Sequence, residues 1–168
     1  MEKSSLLRTD KEITEIYYRN VQSVFRIAFM YLGNRADSED AVQSVFMKFI
    51  DSKPYFNDEE HERAWFVTVT KNLCKNVLKS SWRIRKEDIE KAELPCYTDC
   101  YDEESEVLNE IRRLKPDYRI TVYLYYYEGF SVREIAELLS KKESTVQTWL
   151  ARGRERLRME LGGESHEA

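Results

Sequence analysis

The sequence has few of the residues that turn a chain sharply. Its 168 residues include only 5 glycines and 3 prolines. Sandwiches and barrels need many tight turns, so this scarcity argues against an all-β fold. Hydrophobic residues make up 42% of the chain and charged residues 35%. The hydrophobic fraction excludes wholesale disorder, and the high charge indicates a large wetted surface. Together with the scarcity of turn residues, this favours a mostly helical protein.

The sequence also lacks the signatures of membrane and secreted proteins. No run approaches the about 18 consecutive apolar residues of a membrane span. Residues 1–10 contain no apolar core, so we expect no signal peptide and a cytoplasmic location. The three cysteines, Cys74, Cys96 and Cys100, are too few and odd in number for a disulfide framework. We therefore expect reduced thiols.

Patterns typical of metal sites and enzymes are missing as well. Cys96 and Cys100 have no second pair of metal-binding residues near them, so we expect neither a metal nor another cofactor. Their spacing leaves a redox role open. No Ser-His-Asp, Cys-His or phosphate-loop arrangement is visible, which argues against an enzyme.

The net charge of −4 conceals blocks of opposite sign. Residues 36–62 hold eight acids and two bases, 63–91 hold eight bases and three acids, and 92–111 hold seven acids and no base. A basic block attracts phosphates, although a solvated helix face is the alternative interpretation. The low isoelectric point of about 5.4 argues against strong independent DNA binding. It is compatible with weak DNA binding assisted by a partner.

Apolar residues at helical spacing predict three helices in the first half. A capping box at Thr9 and Glu12 opens the first helix, and Gly33 ends it. We expect Asp37 or Ser38 to cap the second helix. Its predicted buried stripe comprises Ala41, Val42, Val45, Phe46, Phe49 and Ile50.

A third helix, roughly 63–85, is predicted to follow a polar loop at 53–62. Polar and basic residues recur along one side of it every three to four positions: Lys71, Asn72, Lys75, Lys79 and Arg83. Aromatic residues precede or accompany them: Tyr55, Phe56, Trp65, Phe66 and Trp82. Because unpaired bases stack on aromatic rings, this combination predicts a surface for single-stranded DNA. We expect Phe66 itself to belong to the core.

The apolar period disappears at residues 86–104, which contain Pro95 and much of the acidic block. We interpret this stretch as a linker. The predicted fold is therefore all-α, with two small helical domains, 1–85 and 105–168, joined by an acidic linker.

The second domain contains a predicted helix-turn-helix. A capping box at Ser131 and Glu134 opens one short helix, and a second box at Ser144 and Gln147 opens the next, after a turn of about four residues. Ala136 provides the small residue needed where the helices cross. The outer face of the second helix carries groups that suit the edges of bases, namely Thr145, Gln147, Thr148, Ala151 and Arg152. Arg154 and Arg158 suit phosphate contacts, although an amphipathic hairpin with solvated arginines is the alternative.

Three motifs in order resemble those of one family. Residues 37–46 resemble the core-polymerase-binding helix of bacterial sigma factors, and 64–73 resemble the stretch that opens the −10 promoter element. Residues 128–146 resemble the helix-turn-helix that reads the −35 element. With its short linker, the chain resembles the extracytoplasmic-function (ECF) group of the sigma-70 family.

This resemblance implies a role for each surface. Core RNA polymerase would bind Asp37, Glu39, Asp40, Gln43 and Phe46. The −10 DNA would contact Tyr55, Phe56, Arg63, Trp65, Lys71, Asn72, Lys75, Lys79 and Arg83, with a flipped base held by the loop 53–62. The −35 DNA would contact Ser144, Thr145, Gln147, Thr148, Ala151, Arg152 and Arg154. An anti-sigma factor would be a further partner.

The sequence departs from the family pattern in places. Ser140 replaces a common turn glycine, so we expect a less bent turn. Trp149 and Gly153 occupy positions where Arg and Ala are common, which bears on the promoter sequence more than on the role.

Two other functions fit parts of the pattern. A stand-alone helix-turn-helix regulator would need a dimer to span two half-sites, and no long heptad supports one. A sigma-like adaptor would bind polymerase without initiating transcription, and the basic stripe argues against it.

Overall fold

The computed structural model describes residues 7–85 and 106–162, and within these ranges it contains helices and no strand. The predicted all-α fold is confirmed. The helices are α1 (Asp10–Leu32), α2 (Arg35–Ser52), α3 (Glu59–Arg85), α4 (Glu106–Arg112), α5 (Pro116–Tyr126), α6 (Val132–Leu139) and α7 (Glu143–Gly162).

Internal contacts divide the chain into two compact units, Met1–Asp99 and Cys100–Ala168. The division falls inside the predicted linker, residues 86–104. The first unit contains α1 to α3 and the second contains α4 to α7.

The first unit is a bundle in which α1 packs against both α2 and α3. Apolar residues three and four positions apart bring one stripe of each helix into the core. The main cluster consists of Ile16, Val24, Val45, Phe46, Phe49, Phe66 and Val69, and a second cluster consists of Ala28, Leu32, Ala41 and Cys74. Ile50, expected in the buried stripe of α2, is instead 44% exposed. It lies at the edge of the stripe, close to the end of the helix at Ser52.

The cap of α1 is as predicted, but that of α2 is not. The Thr9 hydroxyl accepts from the Glu12 N–H, and the Glu12 carboxylate accepts from the Thr9 N–H. Gly33 ends α1 with a φ of 75°, a left-handed conformation that glycine adopts without strain. The next residue, Asn34, caps α2 because its side-chain oxygen accepts from the Asp37 N–H at 2.8 Å. The expected caps, Asp37 and Ser38, lie within the first turn.

Helix α3 begins at Glu59, four residues earlier than predicted. The Asp58 carboxylate accepts from the His61 N–H at 2.7 Å and so satisfies one free donor of the first turn. The acidic residues of that turn suit the positive end of the helix dipole. The connection is therefore 53–58, and the expected loop of 53–62 was too long because this turn begins with acids rather than apolar residues.

In the second unit, α7 packs against α4, α5 and α6. Pro116 occupies the start of α5, where its missing N–H costs nothing. The core comprises Leu108, Ile111, Leu114, Ile120, Val122, Tyr123, Leu124, Phe130, Ile135, Ala136, Leu139, Val146 and Leu150.

Of the two capping boxes predicted in the helix-turn-helix, the structure contains the first but not the second. The Ser131–Glu134 capping box is confirmed. The Ser144–Gln147 box is wrong, since α7 begins at Glu143 and the N–H groups of Thr145 and Val146 point to the Lys142 carbonyl. The turn is 140–142, and Ser140 itself adopts the left-handed conformation at φ 54°. Serine thus takes the left-handed backbone conformation that a turn glycine would favour, and the expectation of a less bent turn stays a prediction.

Candidate polymerase and promoter interface

The outer face of α2 is acidic and exposed. Asp37, Glu39, Asp40 and Gln43 all lie in solvent. The Arg35 side chain donates to Glu39 at 2.7 Å, and that of Asn34 donates to Asp37 at 2.8 Å. Exposed ion pairs of this kind contribute little to stability, so the acids remain accessible to a partner.

Phe46, grouped with these acids from the sequence, faces the other way. It is only 7% exposed, and its ring lies 4.7 Å from that of Tyr17 and 5.2 Å from that of Phe66. The side chain therefore anchors α2 to the core. The exposed apolar residue on this helix is Met47, at 56% exposure. It lies four residues after Gln43, a spacing that could have indicated it.

The loop between α2 and α3 packs one of its aromatic rings against the core and exposes the other to solvent. Tyr55 is 58% exposed, whereas Phe56 is half-buried. The Phe56 ring lies parallel to that of Phe49 at 6.3 Å and edge-on to Trp65 at 5.8 Å. Of the two loop aromatics, Tyr55 is thus the one whose ring is open to solvent.

Arg8, which sequence reasoning missed, contacts this loop. Its guanidinium lies 5.1 Å from the centre of the Phe49 ring and 5.2 Å from that of Phe56, and it donates to the Pro54 carbonyl. Arg8 precedes the first capping box, where no helical period marks it.

Only part of the predicted basic stripe of α3 is exposed in the structure. Asn72, Lys75 and Lys79 are exposed, and Arg63 and Trp65 are half-buried. Lys71 is only 7% exposed, which contradicts its place in the solvated stripe. Burial lowers the pKa of the Lys71 ammonium, and the charge of Lys75 lowers it further.

Arg83 and Trp82 belong to a stretch whose side chains lie outside the described part of the structure. Beside the exposed stripe, a hollow between α2 and α3 is lined by Lys48, Val69, Asn72, Leu73, Asn76, Val77 and Ser80.

A buried carboxylate, Glu62, connects α3 to α1. Glu62 accepts from Arg19 Nε and Nη2, both at 2.8 Å, and from Asn20 Nδ2 at 2.6 Å. Burial raises the pKa of Glu62, but the hydrogen bonds from Arg19 and Asn20 and the nearby positive charge outweigh it and leave the pKa lowered. Sequence reasoning missed Glu62 because it placed the residue in the predicted loop 53–62, whereas the structure places it in α3.

The outer face of α7 presents the predicted recognition residues together. Ser144, Gln147, Thr148, Ala151, Arg152 and Arg154 are exposed and Thr145 is half-buried, whereas Val146, Leu150 and Gly153 face the core. Arg152 and Arg154 lie within 3.5 Å and 3.4 Å of the hydroxyls of Tyr118 and Tyr126 on α5. The helix thus exposes hydroxyl, amide and guanidinium donors along one side, the groups that read the major groove.

The cysteines give no sign of a metal site within the described ranges. Cys74 is buried, and burial raises the pKa of its thiol to about 12. Cys96 and Cys100 lie outside the described residues. Among those described, no cluster of three or more His, Cys, Asp or Glu is placed to hold a metal, and no helix combines the length and apolarity needed to cross a bilayer.

Each of the two units contains a stretch that matches a protein-family model. Residues 16–84 match the family model of sigma-70 region 2, and residues 104–157 match that of sigma-70 region 4. The chain belongs to the sigma-70 family, in its ECF group.

Individual relatives agree with this assignment. The chain is 29% identical over 162 residues to the ECF RNA polymerase sigma factor SigE of Mycolicibacterium smegmatis, covering 91% of this chain and 63% of that protein. It is 26% identical over 144 residues to the RNA polymerase sigma factor SigV of Bacillus subtilis, covering 85% and 87%.

Solved structures support the fold. The sigma factor RpoE of Bartonella quintana, solved with the anti-sigma factor NepR, superposes with a TM-score of 0.72 at 19% identity, over 90% of this chain and 98% of that one. CnrH, solved with the cytosolic domain of CnrY, gives 0.62 at 16% identity, over 92% and 90%.

Proposed function

We propose that this sigma factor binds core RNA polymerase in the cytoplasm and directs initiation from promoters with two elements. One observation carries the proposal: regions 2 and 4 coincide with separate folded units, each exposing a polar face suited to its ligand. The first unit would bind the polymerase and the −10 element. The second would bind the −35 element.

The polymerase-binding surface in this proposal is the exposed face of α2. Asp37, Glu39, Asp40 and Gln43 supply charge and hydrogen-bonding groups, and Met47 supplies an apolar contact. An apolar side chain surrounded by polar ones is a common arrangement at protein interfaces. Phe46 supports this surface from behind, because its ring packs between α1 and α3.

The −10 surface combines the loop 53–58 with the exposed side of α3. Tyr55 offers a ring on which an unpaired base can stack. Asn72, Lys75 and Lys79 would follow the phosphates of the same strand. Lys71 is buried, so we assign it a supporting role instead of a direct contact.

The −35 surface is the exposed side of α7. Gln147 and Arg152 carry the side chains that pair with adenine and guanine edges, and Arg154 suits a phosphate. Ser144, Thr145 and Thr148 add hydroxyl groups at the end of the helix that would enter the groove.

We also propose that an anti-sigma protein regulates this chain. The Bartonella quintana sigma factor of similar fold was solved with such a protein. A partner that covered α2 or α7 would block the polymerase or the DNA.

Transcription from a promoter library with purified core polymerase, with and without this chain, tests the proposal. We expect initiation from a subset of promoters that share two spaced elements. Binding to core without initiation would instead support a sigma-like adaptor. Failure to bind core, with a dimer footprint on duplex DNA, would support a stand-alone regulator.

A further inference from the structure

Arg8 connects the segment before α1 to the loop that precedes α3. Its guanidinium contacts three groups that are distant in sequence, namely the Phe49 ring, the Phe56 ring and the Pro54 carbonyl. The two rings lie nearly parallel, with an interplanar angle of 7°, so one planar cation reaches both. Arginine suits such a site because its flat guanidinium stacks on rings and still donates at its edge.

The other fixed points of the loop lie at its two ends. Lys53 closes α2 in a left-handed conformation, with its N–H donating to the Phe49 carbonyl. At the far end, the Asn57 N–H donates to His61 Nδ1 at 3.2 Å, and the His61 ring lies edge-on to Phe56. Arg8 therefore contacts the part of the loop between these ends.

The two loop residues that Arg8 contacts, Pro54 and Phe56, flank Tyr55. Tyr55 is 58% exposed. Fixing both neighbours restricts the directions in which the tyrosine ring can point. Pre-organising a binding group in this way lowers the entropy cost of capturing a ligand.

Arg8 lies outside the stretch that matches sigma-70 region 2, which begins at residue 16. Its positive charge also contributes to lowering the pKa values of Glu62 and Glu12, which places it among the charges at the start of α3 and of α1.

We propose that Arg8 is a positioning residue for promoter opening: it holds Pro54 and Phe56 so that Tyr55 is presented to single-stranded −10 DNA. This inference rests on the proposed function, since it assigns the loop to the −10 element. It adds a residue from the segment before α1 to the determinants of −10 selectivity.

The first measurement is hydrogen exchange of the loop amides in full-length variants. Arg8→Met retains much of the side chain's length but removes the cation and the donor. Arg8→Lys retains the charge but loses the flat fork. Lys11→Met removes an exposed charge nearby and serves as the control. We expect amides 55–57 to exchange about two- to tenfold faster in Arg8→Met, with Arg8→Lys intermediate and the control unchanged. Unchanged exchange in Arg8→Met would overturn the proposal.

The second measurement is initiation from promoters substituted singly at each −10 and −35 position. We expect Arg8→Met to reduce the preference for one or two −10 bases by about three- to tenfold. Preferences at −35 and affinity for core polymerase should match those of the wild type. A general fall in activity with unchanged −10 preferences would mean that Arg8 is only structural.

The two measurements distinguish failure of the proposed function from failure of the Arg8 inference. If wild-type protein fails to initiate transcription, the proposed function fails and the inference fails with it, whatever the exchange data show. If wild type initiates selectively and Arg8→Met has the same −10 profile, the inference alone fails.

Discussion

At the scale of single residues, one buried carboxylate secures the start of α3. Glu62 is 5% exposed and accepts three hydrogen bonds from Arg19 and Asn20 on α1. Glu62 and Asn20 are both buried, whereas the Arg19 side chain is 43% exposed. A buried carboxylate that lost these donors would be left unsatisfied, which costs more than the hydrogen bonds themselves contribute. This junction lies just after the loop 53–58, which leads directly into α3 and belongs to the proposed −10 surface.

We expect Glu62→Gln to lower the free energy of unfolding of the first unit by about 1–3 kcal/mol, because a neutral amide has no charge to pair with Arg19 and only one oxygen to accept its hydrogen bonds. The matched control is Glu39→Gln, which breaks the exposed Arg35–Glu39 pair and should change stability by less than about 0.5 kcal/mol. Urea unfolding, monitored by hydrogen exchange of the amides in α1 and α3, measures the change in stability of each variant. Equal effects of the two substitutions would contradict the prediction.

The same carboxylate makes stability depend on pH. The pKa of Glu62 is lowered in the folded state, so it binds a proton less readily than in the unfolded chain. Its contribution is therefore present above the unfolded pKa and is lost as pH falls through the folded pKa. The loss of stability in acid should be smaller in Glu62→Gln than in wild type.

At the scale of elements, the approach of α7 to α5 depends on a missing side chain. A Cβ atom at Gly153 would lie 2.6 Å from Val122 Cγ2. Val122 is fully buried and β-branched, so it has little freedom to move aside. This contact explains why glycine occupies a helix interior, where it is otherwise unfavourable.

We expect Gly153→Ala to destabilise the second unit by about 1–2 kcal/mol, because overpacking costs more than the gain in helix propensity. The control is Gly162→Ala in the same helix, where nothing lies within 4 Å of the added Cβ. That variant should be as stable as wild type or slightly more stable. Thermal unfolding, monitored by hydrogen exchange of the amides in α5 and α7, measures the stability of the two variants. A Gly153→Ala variant more stable than wild type would refute the prediction.

At the scale of the whole molecule, two units on one chain suit recognition of two DNA elements. Once one unit is bound, the second binds at a high effective concentration, so each contact can be individually weak. This agrees with the low isoelectric point, which disfavours strong DNA binding by the free chain.

We expect Arg152→Ala to cost about 1–3 kcal/mol at a single −35 position and to relax the preference there, because in the proposed function its guanidinium would donate two hydrogen bonds to a guanine edge. Arg156→Ala, an exposed arginine on the same helix, is the control and should leave the preference unchanged. A run-off transcription series across −35 substitutions measures both. An unchanged promoter preference in Arg152→Ala would remove this assignment.

Local patterns predicted much of the fold. The boxes at Thr9 and Ser131 depend on residues three positions apart, so they are visible without knowledge of distant contacts. The cap at Asn34 was missed because an apolar period shows a helix's middle better than its start. The assigned surfaces of α2 and α7 follow mainly from helical period, and the structure exposes most of their polar residues.

Family, helical architecture and the polar faces of α2 and α7 follow from periodicity and motif order, which are properties of neighbouring residues. The inward position of Lys71 and Phe46, the Arg8 contact with the loop and the Arg19–Glu62 pair do not. Each depends on which segments distant in sequence pack together, and a side chain at the edge of a helical stripe is buried or exposed according to the neighbour that covers it. Tertiary packing therefore selects, among candidates of the right chemistry, the side chains that remain open to polymerase and DNA.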